Sequence, residues 1–309
     1  MNTPSNAFPE SPLGSQVVAP AAISEARRFY WSVRRELWEN RSIYIAPLAA
    51  AALILVGFVL SLIHLPEKMR AAAALDPMQQ RALIAQPYTV AALLIMFSTV
   101  IVGVFYCLDS LHGERRDRSI LFWKSLPVSD LTTVLAKASI PFVVLPLLSF
   151  AITVATQFIM LLLSSAVLAG SGQSVATLWT QVSFVQISLM LLYHLLTSHG
   201  LWYAPIYGWL LLVSAWSRRA PFLWAVLPLL AIGFVEKMAF NTSYFAAMLQ
   251  SRLMGGPDGA FTAGSMSMPA LAQLTPGQFL ISPGLWVGLA LAAVFLAAAV
   301  RLRRYREPL

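Results

Sequence analysis

Long apolar runs separated by short polar segments set the pattern of this chain. Uncharged stretches run from Ile43 to Leu65, Tyr88 to Leu108, Ile140 to Leu168, Leu178 to Trp216, Pro221 to Val235 and Leu285 to Val300. A hydrocarbon core about 30 Å thick needs around 20 predominantly apolar residues in one helix, so these runs predict membrane spans. The fourth run has 39 residues and would be nearly 60 Å long at about 1.5 Å per residue. It is either two spans or one span with a broken, partly interfacial extension.

Lysine and arginine accumulate in short cytoplasmic loops, and their distribution separates these two readings. If the fourth run crosses once, the segments on the side of the termini are 1–42, 109–139, Arg218 with Arg219, and the tail with Arg301, Arg303, Arg304 and Arg306. These hold 16 of the 21 basic residues. Lys68, Arg70, Arg81, Lys237 and Arg252 fall on the other side. Two crossings would reverse the asymmetry for the C-terminal half. The expectation is six spans, about 43–65, 88–108, 140–168, 178–216 (broken), 220–236 and 284–300, with both termini cytoplasmic. Thr197-Ser198-His199-Gly200 and Pro205 are the expected places for the break, because local polarity, glycine and proline weaken a helix.

Composition agrees with that pattern: 58% of residues are apolar and 11% charged, with a mean hydropathy of +0.71. These values exclude a soluble globular enzyme and a disordered chain. The net charge of +8 sits at span ends and in short loops, where it sets topology and forms no basic stripe for nucleic acid. The single cysteine, Cys107, excludes an intrachain disulfide.

Three segments lie outside the spans. Residues 1–23 are rich in Pro, Ser, Asn and Ala, without the basic start and apolar core of a secretory signal, and read as a disordered cytoplasmic tail. Residues 24–42 place Phe29, Val33 and Leu37 beside Tyr30 and Trp38, with Glu25, Arg28, Arg35, Glu36 and Glu39 opposite. That spacing predicts an amphipathic helix lying in the membrane interface, or more simply a charged helical run into the first span. Arg27, Arg34 and Arg41 recur every seven residues along one edge, placed to reach lipid phosphates alongside the interfacial Trp38. In the third segment, 109–139, a charged patch is followed by Ile120-Leu121-Phe122-Trp123, too short to span and too apolar to be left in water. Pro127 stops a helix there, and Ser129 or Asp130 caps the next. Two readings fit the short helix between them: it rests on lipid, or it docks into a cytoplasmic partner and passes motion to the spans.

The stretch ERRDRSILFWKSLPVSDLTTVLAKA leading into the third span resembles the permease subunits of ATP-binding-cassette transporters of the type-2 exporter class. LWYAPIYGWLLLVSAWSRRAPFLWAVLPLLAIGFVEK, residues 201–237, is similar to bacterial members of that class. The resemblance covers about residues 24–309, with its specificity in DRSILFWKSLPVS. It implies an all-α integral membrane protein: a six-span bundle with an N-terminal interfacial helix, and a cytoplasmic coupling helix between spans 2 and 3. It implies contacts to an ATPase subunit through Glu114, Asp117, Arg118, Ile120, Leu121, Lys124, Leu126 and Pro127. It also implies a second permease subunit, identical or not, and two ATPase chains that hold the ATP and Mg²⁺; no cofactor is expected in this chain.

The residues themselves carry little catalytic chemistry. No glycine is followed by lysine, so there is no G-x-x-x-x-G-K-[ST] phosphate loop, and neither H-E-x-x-H nor G-x-S-x-G occurs. His194 and His199 are five apart, off the shared face that i, i+4 gives. Buried carboxylates are nearly absent from the spans, which argues against ion coupling. Any path must be apolar or lined by groups such as Thr153, Thr156, Gln157, Gln181 and Gln186, which suits an amphipathic or lipid-like cargo. Glu236 and Lys237 close the fifth span as an interfacial ion pair or as a substrate contact at the outer mouth. Gly284, Gly288 and Ala292 form a small-residue face, expected to pack within the chain. The outer loop 236–284 holds an amphipathic stretch, Tyr244–Leu253, with length for a re-entrant helix. The rival to a transport subunit is a membrane scaffold that recruits a cytoplasmic protein through the same 109–139 segment.

Overall fold

A computed structural model describes residues 24–125, 128–182, 184–253 and 280–305. In chain order its helices are α1 (Glu25–Glu39), α2 (Ser42–Ser61), α3 (Leu65–Ala73), α4 (Pro77–Arg116), α5 (Ser119–Ser125), α6 (Asp130–Ser139), α7 (Leu145–Gly170), α8 (Val175–Gln181), α9 (Phe184–His194), α10 (Ala204–Trp216), α11 (Pro221–Phe240), α12 (Tyr244–Leu253) and α13 (Pro283–Tyr305). Among the described residues, six helical stretches are long and apolar enough to cross a membrane: Ser42–Ala73, Pro77–Arg116, Asp130–Gly170, Val175–Trp202, Pro221–Phe240 and Pro283–Tyr305. The protein is an all-α, multi-pass membrane bundle.

The helices overrun the apolar runs that nucleate them. Residues 66–87, expected as a loop, are helical: α3 continues α2 through a short 3₁₀ turn, and α4 begins at Pro77. The sequence around Asp76 makes the sharp reversal between them. Asp76 Oδ1 accepts hydrogen bonds from the amides of Met78 and Gln79 at 3.0 and 2.9 Å, and Pro77 sits in the first turn, where its missing N–H leaves nothing unsatisfied. The third span likewise starts early, at Asp130. Ser129 caps it by accepting from the Thr132 amide at 3.1 Å. At Pro141 the chain passes through one π-turn, Ile140–Val144, and continues as α7. At about 1.5 Å per residue, the 40 residues of α4 and the 41 of Asp130–Gly170 each reach roughly 60 Å.

The fourth stretch, continued by α10, has comparable reach and runs from one end of the bundle to the other. Leu178 and Val182 pack with Leu62, Ile84 and Leu168 at one end of the bundle. Ala215 packs with Leu111, Val134 and Ala299 at the other. Its helix changes to π geometry over Leu195–Trp202 and restarts at Ala204, with Pro205 in the first turn. A Cβ on Gly200 would sit 3.1 Å from the Phe142 carbonyl oxygen, so the π segments of the third and fourth spans touch through backbone.

The centre of the bundle is α4 and α10, with Tyr106, Cys107, Leu145, Tyr207 and Leu211 buried between their neighbours. The small-residue face of α13 is used inside the chain, as expected. A Cβ on Gly208 of α10 would meet the Cα and the carbonyl oxygen of Ala292, both at 3.3 Å. Close backbone approach between small residues is a common way for apolar helices to associate where no water drives them together. By contrast α11 stands at the margin, with Ala225 its one buried residue.

Candidate functional site

The four basic segments assigned to one side by charge counting meet at one end of the bundle, called here the basic end. Arg35 of α1, Glu114 of α4, Lys137 of α6 and Arg303 of α13 form one ion network there. Arg115 donates to the carbonyls of Ala215 and Ser217, tying in the end of α10.

The network is buried and nearly balanced. Glu36, 1% exposed, receives Arg35 Nη2 at 2.7 Å, Lys137 Nζ at 2.9 Å and the Tyr106 hydroxyl at 2.9 Å. Glu114 receives Arg35 Nη2 at 3.0 Å, Lys137 Nζ at 3.2 Å and the Arg303 guanidinium. Arg303 Nε reaches Asp130 at 3.1 Å, and Arg35 Nε reaches the half-exposed Glu39 at 3.4 Å. Burial disfavours the Arg35 cation, but Glu36, Glu39 and Glu114 beside it outweigh that and hold its pKa above the ordinary arginine value. Burial pushes the Glu39 carboxyl up, against the pull of Arg35. Charges can be held out of water at this price because both oxygens of each central carboxylate are occupied.

The seven-residue helix α5 is mounted on this network. Arg118, with φ of 57°, makes the left-handed corner that turns the chain out of α4, a conformation costly for a side-chain-bearing residue. Ile120 is buried beneath α5, and the Arg35 guanidinium lies 3.8 Å from the Trp123 ring centroid. Lys124 Nζ contacts the Arg304 carbonyl at 3.5 Å. The opposite face is bare: Leu121 and Phe122 are 59% and 60% exposed, flanked by exposed Asp117, Arg118 and Lys124. Of the eight contact residues expected from the sequence, Asp117, Arg118, Leu121 and Lys124 therefore lie on the surface. Glu114 and Ile120 lie inside, and Leu126 and Pro127 fall outside the described residues.

In α1, Arg34 stacks between Trp31 and Trp38, 4.9 and 5.1 Å from their centroids, while Arg27 and Trp38 are exposed. Of the residues expected to be solvated, Glu36 turns fully inward and Arg35 is half-buried beside it, both entering the network, while Glu25 and Glu39 stay exposed. Val33 and Leu37 pack against the core.

At the far end, Glu236 does not pair with Lys237 among the described residues. It caps α12: its carboxylate accepts from the amides of Tyr244 and Phe245 at 2.7 and 2.9 Å and from the Thr242 hydroxyl at 2.9 Å. The ion-pair reading fails because unsatisfied amides at a helix start are stronger partners for a carboxylate than an exposed ammonium. Lys237 is exposed. The helix that Glu236 starts turns back against the bundle, where Arg252 covers the Trp202 ring at 4.1 Å and donates to the Gly284 carbonyl.

Within the spans, Thr153, Thr156 and Gln157 are buried, Gln157 donating to the Tyr88 carbonyl at 3.1 Å; Gln186 is exposed, and the Gln181 side chain is outside the described ones. His199 Nε2 meets the Tyr207 hydroxyl at 3.1 Å, and among the described residues no group of three His, Cys, Asp or Glu side chains is placed to hold a metal.

The sequence reading missed Glu36, Tyr106, Trp123, Asp130, Lys137 and Arg303 as partners in one site. A signal was present: nine of the 13 acidic residues, among them Glu36, Glu39, Asp109, Glu114, Asp117 and Asp130, lie in the predicted basic-side segments. Topology needs no acids there. No family model matches this chain, and no curated protein and no solved structure is similar to it.

Proposed function

We propose that this chain is the permease subunit of an ATP-binding-cassette transporter of the type-2 exporter class. It moves an amphipathic or lipid-like substrate while a separate ATPase subunit burns ATP. The observation that carries this reading is α5: a short helix exposing Leu121 and Phe122 between charged flanks, braced by Ile120 and by Trp123 under Arg35. Two exposed apolar side chains on a rigidly mounted helix are a docking peg, the kind of anchor that carries binding energy at interfaces. Asp117, Arg118 and Lys124 supply its polar rim, and Leu126 and Pro127 are the remaining contact residues of this reading. Glu114 and Ile120 act behind it, passing displacement of α5 to α4, α1, α6 and α13 through the ion network.

The basic end is cytoplasmic in this reading, by the excess of lysine and arginine in its segments, and the membrane is the bacterial inner membrane. The permease works as a pair, with itself or a sibling, beside two ATPase chains that hold ATP and Mg²⁺. Arg27, Arg34 and Trp38 anchor α1 at the lipid surface. Lys237 and the α11–α12 turn capped by Glu236 face the outer mouth.

The test is affinity purification of the full chain from native membranes in mild detergent, with identification of the co-eluting proteins. A phosphate-loop ATPase in stoichiometric amount is expected, lost from the double variant Leu121→Asp, Phe122→Asp while the permease still inserts. Co-elution of a cytoplasmic protein without ATPase activity would support a scaffold and overturn the transport reading. So would labelling of Ser125→Cys, in a Cys107→Ser background, from the outer side.

A further inference from the structure

At the end opposite the ion network, a cavity of about 400 Å³ opens between α2, α3 and α4. Its floor is apolar: Phe58, Leu62, Ile84 and Leu178 are buried there, with the Tyr88 ring 6.2 Å from that of Phe58. Its size lies in the range of pockets that hold a small molecule or an alkyl chain. Pro87 lines it and lacks the N–H that would close the helical turn on the Leu83 carbonyl. Leu83 and Val90, both exposed and apolar, form the side wall, so the opening faces hydrocarbon.

The lining includes one charge, Lys68. It is exposed and has no carboxylate partner among the described residues, whereas the neighbouring Glu67 is turned to His64 at 3.9 Å. The apolar run of the first span ends at Leu65, so Lys68 stands one turn beyond it, at the depth of lipid phosphates. Apolar floor below, lateral opening to the bilayer and a free ammonium above follow the order of groups in a phospholipid.

We propose that this cavity is a binding site for one acidic phospholipid of the surrounding membrane, with an acyl chain against Phe58, Leu62 and Ile84 and the phosphate on Lys68. The inference stands apart from the transport reading: it uses neither α5 nor the ion network.

The experiment is native mass spectrometry of the full chain, detergent-exchanged and equilibrated with either phosphatidylglycerol or phosphatidylcholine. Wild-type protein is expected to retain one equivalent of phosphatidylglycerol about five-fold more tightly than phosphatidylcholine, the difference one lysine makes at a membrane surface. Lys68→Gln should bring phosphatidylglycerol down to the phosphatidylcholine level. Leu83→Trp, which fills the opening from its exposed wall, should remove the saturable equivalent of both lipids; the distant Lys237→Gln should change neither. Equal retention of the two lipids by wild type, or unchanged retention in either pocket variant, overturns the proposal.

Discussion

Lys137 is the cation whose loss the bundle should feel most. Its ammonium is almost fully buried, 2.9 Å from Glu36 and 3.2 Å from Glu114. Replacing it with Met keeps the length of the side chain and removes the charge. Glu36 then keeps Arg35 and Tyr106, and Glu114 keeps Arg35 and Arg303, leaving a buried excess of negative charge. Breaking a buried pair by removing one partner costs about 3–5 kcal/mol. In a chain of this length that corresponds to a fall in melting temperature on the order of 5–10 °C. The measurement is the thermal transition of detergent-solubilised protein followed by size-exclusion chromatography, with Lys237→Met as an exposed control expected within about 0.5 kcal/mol of wild type. The double variant Lys137→Met, Glu36→Gln should recover part of the loss, because the uncompensated charge goes with its partner. A Lys137→Met protein that melts with the control would show that water reaches these carboxylates and that the network is not a closed unit.

Three further outcomes follow from other sites. Gly208→Leu forces a side chain into the backbone of Ala292 and should cost about 1–3 kcal/mol, read as a lowered melting temperature; Gly57→Ala, in open space, should not lower it. Glu236→Ala removes the cap of α12 at a cost of about 1 kcal/mol, so hydrogen exchange should quicken across Tyr244–Leu253 while the global transition barely moves. Glu39 has its folded-state pKa raised by burial, so its contribution is favourable at acid pH and lost as pH rises through that raised value. Glu39→Gln should therefore raise stability at neutral pH, by less than about 1 kcal/mol after solvent screening, and leave it unchanged at pH 4; a loss at neutral pH would mean that its contact with Arg35 outweighs its burial.

The spans were legible because period and length carry that information: uncharged runs near 20 residues have few alternatives. Their true ends were legible only in part. The start at Asp130 was readable from Ser129 and Asp130 as capping residues, whereas Pro77 starts a helix well before the apolar run begins, since the cap at Asp76 acts on backbone amides whatever the hydropathy. The position of the break in the fourth span was readable from Gly200 and Pro205, but its π geometry was not, because that depends on the facing turn at Ile140–Val144. In the candidate site, the apolar peg Ile120–Trp123 stood out as a run too short to span. The ions behind it did not. Glu36 and Lys137 are 101 positions apart, and on a helical wheel Glu36 is one charged residue at the edge of the apolar face of α1, with nothing local to mark a distant partner. Only packing shows that this side faces α6. Glu236 illustrates the same limit, since its partners are backbone amides, which a sequence does not distinguish.

The length of α4 has a mechanical consequence. Tyr88, at the lipid-facing cavity, and Glu114, in the ion network, belong to one helix without a proline between them, 26 positions and about 39 Å apart. A beam about 60 Å long that tilts by 5° about its midpoint moves each tip by roughly 2.6 Å, in opposite directions. A hydrogen bond tolerates only a few tenths of an ångström of stretch. A tilt too small to disturb the apolar packing at mid-membrane is therefore large enough to break polar contacts at both tips, and neither tip can be repositioned without the other responding.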